Sequence, residues 1–439
     1  MMAMKGKANM NEAMTVLTPD VLIIGAGPSG AAAASLLRQY GYQVLVLERQ
    51  HFPRFSIGES LLPQSMAFLE EAGLLDAVNQ AAPEFGFQFK NGAAFLRGQE
   101  RTHFDFNDKF TTGPGTTWQI KRAPFDHVLA KQAEAYGADI RYGHAVTAVD
   151  VSGEQACVDV LTEDGVAYQV KPKFILDASG FGRVLPKLLN LESPSNFPLR
   201  RAVFTHIADH FDPAEFDRNK ILISVHQHHP QAWFWNIPFA DGRCSFGVVA
   251  ETDFYAQFGD LALDDLLPAI LASEPSLSKL LARAEFDTPV REIVGYSANV
   301  NSLTGRHFAL LGNAGEFLDP VFSSGVTIAL KSASLCTPLL HRQLQGGSVD
   351  WQNEYELPLR RGIKVFRAYV EAWYEGSFQD VVFAVKPQDE VKRMVCSLLA
   401  GYAWDESNPM NNNSVKRLAT LAEICRDDRV ASGAQGNMP

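Results

Sequence analysis

Cysteine is scarce in this chain: five in 439 residues, at positions 157, 244, 336, 396 and 425, odd in number and never spaced as C-x-x-C. Neither a disulfide framework nor a zinc site is therefore expected. Positive charge is also short, since 39 Lys and Arg against 50 Asp and Glu leave a net charge of -11. Such a surface argues against attraction to the phosphate backbone of nucleic acid or to anionic lipid. No apolar run is long enough to span a bilayer. The opening "MMAMKGKANMNEAMTVLTPD" has no continuous apolar core followed by a cleavage signature, and it reads as a loose leader on a cytoplasmic protein. No internal repeat or low-complexity tract stands out. "HQHH" (His226 to His229) would put His226 and His228 on one strand face, but two ligands without a nearby carboxylate or cysteine do not make a metal site. No metal is expected.

Hydrophobic residues make up 46% of the chain and charged residues 20%, as in globular proteins, and the length allows two or three units sharing a large core. The clearest local pattern is "DVLIIGAGPSGAAAASLLRQYGYQVLVLER". It reads as a buried parallel strand, an Ala/Leu-rich helix after Pro28, and a second β-branched strand from Gln43 to Glu48. Gly25, Gly27 and Gly30 stand in G-x-G-x-x-G spacing at the turn, and Glu48 follows about 20 residues on, as a dinucleotide fingerprint requires. Glycines there let the backbone approach a pyrophosphate at a helix N-terminus, where free N–H groups favour anions. The motif occurs once, so one dinucleotide is expected, either NAD or FAD by this pattern alone.

Further strands are predicted at "FILDASGFGR" (Phe174 to Arg183) and before "GNAGEFLDPVFSSG", which leads into a helix starting near Ser324. Between them lie candidate strands at 202–209, 221–229, 232–237 and 244–250, with Asp241-Gly242 as a hairpin turn. A nucleotide-binding domain interrupted by a β-rich domain is the layout this predicts. From about residue 351 the pattern is helical and aromatic. "QAWFWNIP" (Gln231 to Pro238) holds two of the six tryptophans, two positions apart. In a strand, Trp233 and Trp235 share a face, either as ordinary core or as a wall.

Four stretches together resemble the flavin-dependent halogenases: "GAGPSG", "FPRFSIGESLLP" (Phe52 to Pro63), "WFWNIP" as W-x-W-x-I-P, and "FLDPVFSSG" (Phe317 to Gly325) as F-x-x-P-x-x-S-x-G. The last is similar to the branch acting on phenols and pyrroles, often tethered to a carrier protein. The resemblance implies an α/β, doubly wound, Rossmann-like FAD domain of the aromatic-hydroxylase type over residues 18–85, 120–185 and 300–345. A β-rich substrate domain over 86–119 and 186–299 and a helical region over 346–426 would complete it, with 1–17 and 427–439 disordered. It also implies a chemistry in which FADH2 from a separate flavin reductase reacts with O2 to a C4a-hydroperoxide. Chloride or bromide then gives hypohalous acid, which passes to a lysine beside an aromatic substrate, free or bound to an acyl carrier protein.

By the same resemblance Lys90, in "FGFQFKNGAAF", is the catalytic lysine, and Trp233 and Trp235 separate flavin from substrate. Phe317, Pro320, Ser323, Ser324 and Gly325 form the halide turn. Gly25, Gly27, Ser29, Gly30, Glu48, Arg49, Arg54, Glu59, Arg122 and Asn313 hold the cofactor. A buried amine can hold hypohalous acid or form a haloamine, and Phe85, Phe87, Phe89 and Phe95 would give Lys90 an apolar setting; most lysines, by contrast, are solvated. The N–H groups at Ser323 to Gly325 suit a halide, although serine there also suits ordinary N-capping. Asn313 stands where aromatic hydroxylases usually carry Asp, which predicts looser retention of FAD. No counterpart of the glutamate that partners the lysine in tryptophan halogenases is found. An aromatic monooxygenase, an isoprenoid reductase and a silent flavin-binding partner share the fold, so fold alone does not choose among them.

Overall fold

In the computed structural model, which describes residues 15–433, the strand Val21–Ile24 is buried at all four positions. That is the expected state of a β-branched run with helices on both faces of its sheet. The sheet has six strands in the order Thr304–Gly305, Phe308–Leu310, Phe174–Asp177, Val21–Ile24, Val44–Glu48 and Asp139–Tyr142. All pairings are parallel except the two-residue edge strand. Segments far apart in sequence therefore lie side by side. The helix Pro28–Gln39 buries Ala31 to Ala34, and these small side chains let it pack closely against the long helix Ser324–Leu344 and the helix Arg122–Ala135.

A second sheet of seven strands follows the order Arg291–Val294, Arg200–Ala208, Arg243–Glu251, Trp233–Pro238, Lys220–Val225, Gly92–Arg97 and Glu100–Asp105. Alternation along its strands sorts two cores. Ala202, Phe204, Trp233, Trp235 and Ile237 join the core shared with the six-stranded sheet. Val203, Ile207, Phe234 and Phe246 pack on the other face, against Leu266, Leu267, Ile270 and Leu277. The latter belong to helices Leu263–Ala272 and Pro275–Leu280, so the stretch read as β-rich also carries the helical cover of its own sheet. A smaller sheet joins Val16–Leu17, Ala167–Val170, Cys157–Thr162 and His144–Asp150.

Helices Leu357–Tyr374, Ser377–Val382, Asp389–Leu399 and Ser414–Ala431 close the chain. Two expectations need correction. Disorder was expected over 1–17 and 427–439; residues 1–14 and 434–439 lie outside the described ones, but Val16–Leu17 pairs with Gln169–Val170. The last helix continues to Ala431, because Arg429 bonds Glu100 and the carbonyl of Phe383. Likewise the strand through Lys220–Val225 ends before His226, and the histidines occupy the turn beyond it. There the His226 ring accepts from the backbone N–H groups of His228 and His229, and burial beside two other imidazoles lowers it to about 4. Among the described residues, no helix is long and apolar enough to cross a membrane.

Candidate active site

The turn after Val21–Ile24 is shaped by glycine at two points. Gly25 has φ +96°, and a Cβ on it would lie 2.7 Å from the carbonyl oxygen of Ala178. At Gly30 a Cβ would come within 2.0 Å of the Gly25 carbonyl, so only glycine lets the helix start this close to the strand. Gly27 is looser, its nearest neighbour being the Arg54 guanidinium at 3.5 Å. Glu48, at the end of the second strand, accepts from the backbone N–H groups of Ala26 and Gln50, both at 3.0 Å. The acid is thereby fixed beside the glycine turn. A cavity of about 480 Å³ begins here, at Gly25 to Ser29 and Glu48 to Gln50, and runs past Arg54 to Ser60 and Arg122 toward Trp233, Trp235, Asn313 and Ser323 to Val326.

Asp126, which the sequence reading did not single out, organises the basic side of this cavity. It is wholly buried, accepts two bonds from Arg122 at 2.8 and 2.9 Å, and lies 3.3 Å from Arg54. The spacing of Arg122 and Asp126, one turn apart on a helix, was the available signal. Arg54 keeps a buried Nε without partner, and the Asn313 side-chain oxygen is likewise buried and unpartnered. Two orphaned polar groups along a cavity that starts at a glycine cradle fit FAD: donors for an anion, an acceptor for a hydroxyl. Glu59 lines the same cavity and meets His206 at 2.9 and 3.1 Å. His206 shares its strand face with Ala202 and Phe204, a period-two pattern legible only once that strand's inward face is known.

Both indoles of the tryptophan pair face the cavity. Their ring centroids are 6.0 Å apart. Trp235 donates to Ser245 at 3.1 Å and Trp233 to the Tyr374 hydroxyl at 2.8 Å. The Trp235 ring crowds Gly247, where a Cβ would meet it at 2.4 Å. The rings are thus both core and wall.

Opposite them, Asp319 caps the short turn Pro320–Phe322 through the Val321 N–H at 3.0 Å. Ser323 then takes φ +54° and makes no side-chain capping bond, and the helix begins at Ser324. The N–H groups of a helix's first turn have no partner within it, and Ser323, Ser324, Gly325 and Val326 line the cavity. Phe317 packs edge-on to Tyr296 and Phe181 and lines the cavity with Pro320.

Lys90 ends a three-residue strand, Gln88–Lys90, paired with Thr117–Gln119. Its side chain is 1% exposed. The ammonium donates to the Ser60 hydroxyl at 2.6 Å and the Leu61 carbonyl at 2.8 Å and lies 5.4 Å from the centre of the Phe106 ring. Burial lowers the amine to about 7. Ser60 lines the flavin-side cavity and Lys90 does not, so the serine stands between them. The apolar setting also differs from expectation. Phe89 points outward, 41% exposed; Phe87 packs against Phe85 and Phe125; Phe95 meets Phe104 and Trp373. Alternation along the strand turns neighbours of Lys90 away from it, and Phe106 takes their place.

Residues 18–257 match the family model described as "FAD binding domain". The chain is 27% identical over 412 residues to a 1H-pyrrole-2-carbonyl-[peptidyl-carrier protein] chlorinase of Pseudomonas fluorescens, covering 87% of this chain and 89% of that one. A brominase with the same carrier-bound pyrrole in its name, from Pseudoalteromonas luteoviolacea, is 27% identical over 76% of this chain and 80% of its own. Among solved structures, a flavoprotein/dehydrogenase from Cytophaga hutchinsonii superposes with TM-score 0.89 at 41% identity, covering 93% of this chain and 99% of that one. A myxobacterial chondrochloren halogenase gives TM-score 0.72 at 27% identity, over 94% and 97%. The glycine cradle, the paired indoles and the turn at Pro320 to Gly325 thus lie in a chain that belongs to the FAD-binding-domain family and, within it, to the flavin-dependent halogenases, which are FAD-dependent oxidoreductases.

Proposed function

We propose that the protein replaces hydrogen by chlorine or bromine on an electron-rich aromatic ring, a phenol or a pyrrole, free or tethered to an acyl carrier protein. Reduced FAD, delivered by a separate flavin reductase, supplies the two electrons with which O2 and halide become hypohalous acid and water. The residues of the chain then divide the remaining work. Gly25, Gly27, Ser29 and Gly30 receive the pyrophosphate, and Glu48 meets the ribose. Arg49, Arg54, Glu59, Arg122 and Asn313 line the rest of the cofactor's path. The first N–H groups of the helix Ser324–Leu344, aided by its dipole, hold the halide. Trp233 and Trp235 keep the substrate ring from the flavin, so oxygen is not transferred to it directly.

The observation that carries this reading is the state of Lys90: a buried amine, lowered to about 7, with only neutral oxygens as partners. Near neutral pH a large share of it is unprotonated, so its lone pair can take the halogen of hypohalous acid with release of water. The N–halogen bond then breaks as the ring carbon takes the halogen, the ring loses its proton, and the amine regains hydrogen. Ser60, on the boundary of the flavin-side cavity, marks the point of passage. A cytoplasmic setting fits the five cysteines, all of them unpaired.

The test is mass spectrometry of phenolic and pyrrolic substrates, free and carrier-bound, incubated with enzyme, FAD, a flavin reductase, NADH and bromide. A bromine isotope doublet on the product is the expected result. A hydroxylated product without bromine would overturn the proposal in favour of an aromatic monooxygenase.

A further inference from the structure

The last residue of the helix Leu357–Tyr374 is buried at the junction of the tryptophan wall and the halide turn. Tyr374 accepts the indole N–H of Trp233 at 2.8 Å and donates its own proton to the Asp319 carboxylate at 3.0 Å. The other oxygen of Asp319 holds the Val321 N–H inside the turn that leads to Ser323. Arg200 lies 3.4 Å above the Tyr374 ring and 3.9 Å from the shared Asp319 oxygen, and Tyr296 donates to that oxygen at 3.4 Å. One hydroxyl thus joins two motifs that lie far apart in sequence, and it comes from the helical region outside both sheets.

We propose that Tyr374 is a positioning residue that couples the Trp233 indole to the halide turn, so that halide occupancy and the placement of the wall are set together. The inference rests on the halogenase reading of the turn. Its physical content is a chain of three groups in which each donor has one acceptor: indole N–H to phenol oxygen, phenol O–H to carboxylate, carboxylate to the backbone of the turn. A phenylalanine at 374 fills the same volume and keeps the ring beneath Arg200, but it breaks both bonds at once. The Trp233 N–H then stands buried without partner, the Asp319 oxygen keeps only the longer bond from Tyr296 at 3.4 Å, and the turn relaxes. Burial raises the Asp319 carboxyl, and Arg200 together with the donors from Val321, Tyr374 and Tyr296 opposes the rise.

The experiment follows the indole directly. In protein labelled with 15N-tryptophan, the Trp233 side-chain resonance is assigned by its loss in Trp233→Phe. Bromide added to the FAD-loaded wild type is expected to shift that resonance. In Tyr374→Phe the shift is expected to vanish, the bromide KM to rise about tenfold, the size of a lost buried hydrogen bond, and kcat and FAD affinity to change little. Asp319→Asn, which keeps the side-chain volume, should also uncouple the indole from bromide and serves if Tyr374→Phe does not fold. An indole that ignores bromide in the wild type, or responds equally in both variants, overturns the proposal. If no aromatic substrate is halogenated by the wild type while the bromide-dependent shift persists and needs Tyr374, the functional reading fails and the coupling stands.

Discussion

Replacing Lys90 by Met separates the chemistry of the amine from its cost to the fold. The folded amine titrates at about 7 against an ordinary value of 10.5, whereas the unfolded chain returns it to water. Between those two values the unfolded state binds more protons than the folded one, so the stability contributed at this site rises with pH across the window and is lowest below pH 7. At about 1.4 kcal/mol per unit, two units of that window make wild-type folding gain about 2.5 kcal/mol from Lys90 between pH 6 and pH 9. Methionine has similar reach and no proton to lose. At pH 9 the variant should be less stable by about 1–3 kcal/mol, because the Leu61 carbonyl loses its donor. At pH 6 that deficit should shrink or reverse. Urea unfolding of both proteins at pH 6, 7.5 and 9 measures the difference, and taking it between the two cancels every other titrating group. A stability difference that is flat with pH would refute the buried amine. The same variant should oxidise reduced FAD at the normal rate yet form no halogenated product, and wild-type halogenation should rise with pH through about 7 as the free amine accumulates. Regioselective halogenation by Lys90→Met near the wild-type rate would remove the lysine from the mechanism.

Gly30→Ala should lower FAD affinity by more than about tenfold, since its methyl would collide with the Gly25 carbonyl and open the cradle; flavin fluorescence on titration reads this. At Gly325 a Cβ would sit 3.4 Å from Phe317 and 3.7 Å from the Asn313 oxygen, so Gly325→Ala should be tolerated. Gly325→Val, with two further methyl groups, should raise the halide KM several-fold while leaving FAD affinity less affected, and collapse of flavin binding with unchanged halide dependence would contradict that. If a separate reductase is the electron source, as proposed, the purified FAD-loaded protein should not oxidise NADH at a useful rate; rapid flavin bleaching in a stopped-flow mixing experiment would count against it.

What the sequence made legible was local. The strand, glycine turn, helix and terminal acid from Val21 to Glu48 all lie within one short unit, so period and turn chemistry suffice to place them, and Gly242, with φ +81°, sits at the hairpin expected from Asp-Gly. The environment of Lys90 was less accessible. Its partner Ser60 is 30 residues away, and which phenylalanine touches the amine depends on the register of a three-residue strand. His206 escaped for a related reason, since it acts on Glu59 brought near by tertiary packing, and Asp126 escaped because its i,i+4 spacing from Arg122 is that of any helix pair, while its contact with Arg54 is tertiary. Tyr374 is the extreme instance, a tyrosine at the end of an amphipathic helix, indistinguishable in sequence from a core aromatic until the indole and carboxylate it joins are seen together.

The parallel sheet has a kinetic consequence. Phe174–Asp177 lies between Val21–Ile24 on one side and Phe308–Leu310 on the other, and the stretch between the two later strands holds most of the seven-stranded sheet. The last parallel strand can join only after that intervening chain has been gathered in, so loop-closure entropy is spent well before the pairing that offsets it, and high contact order of this kind slows folding. Asn313 and the helix start at Ser324 arrive with that strand. Chains interrupted before it can carry the glycine turn but not the far end of the cavity, so a flavin bound across both, as proposed, would act as a ligand of the completed chain and draw late folding forward by mass action.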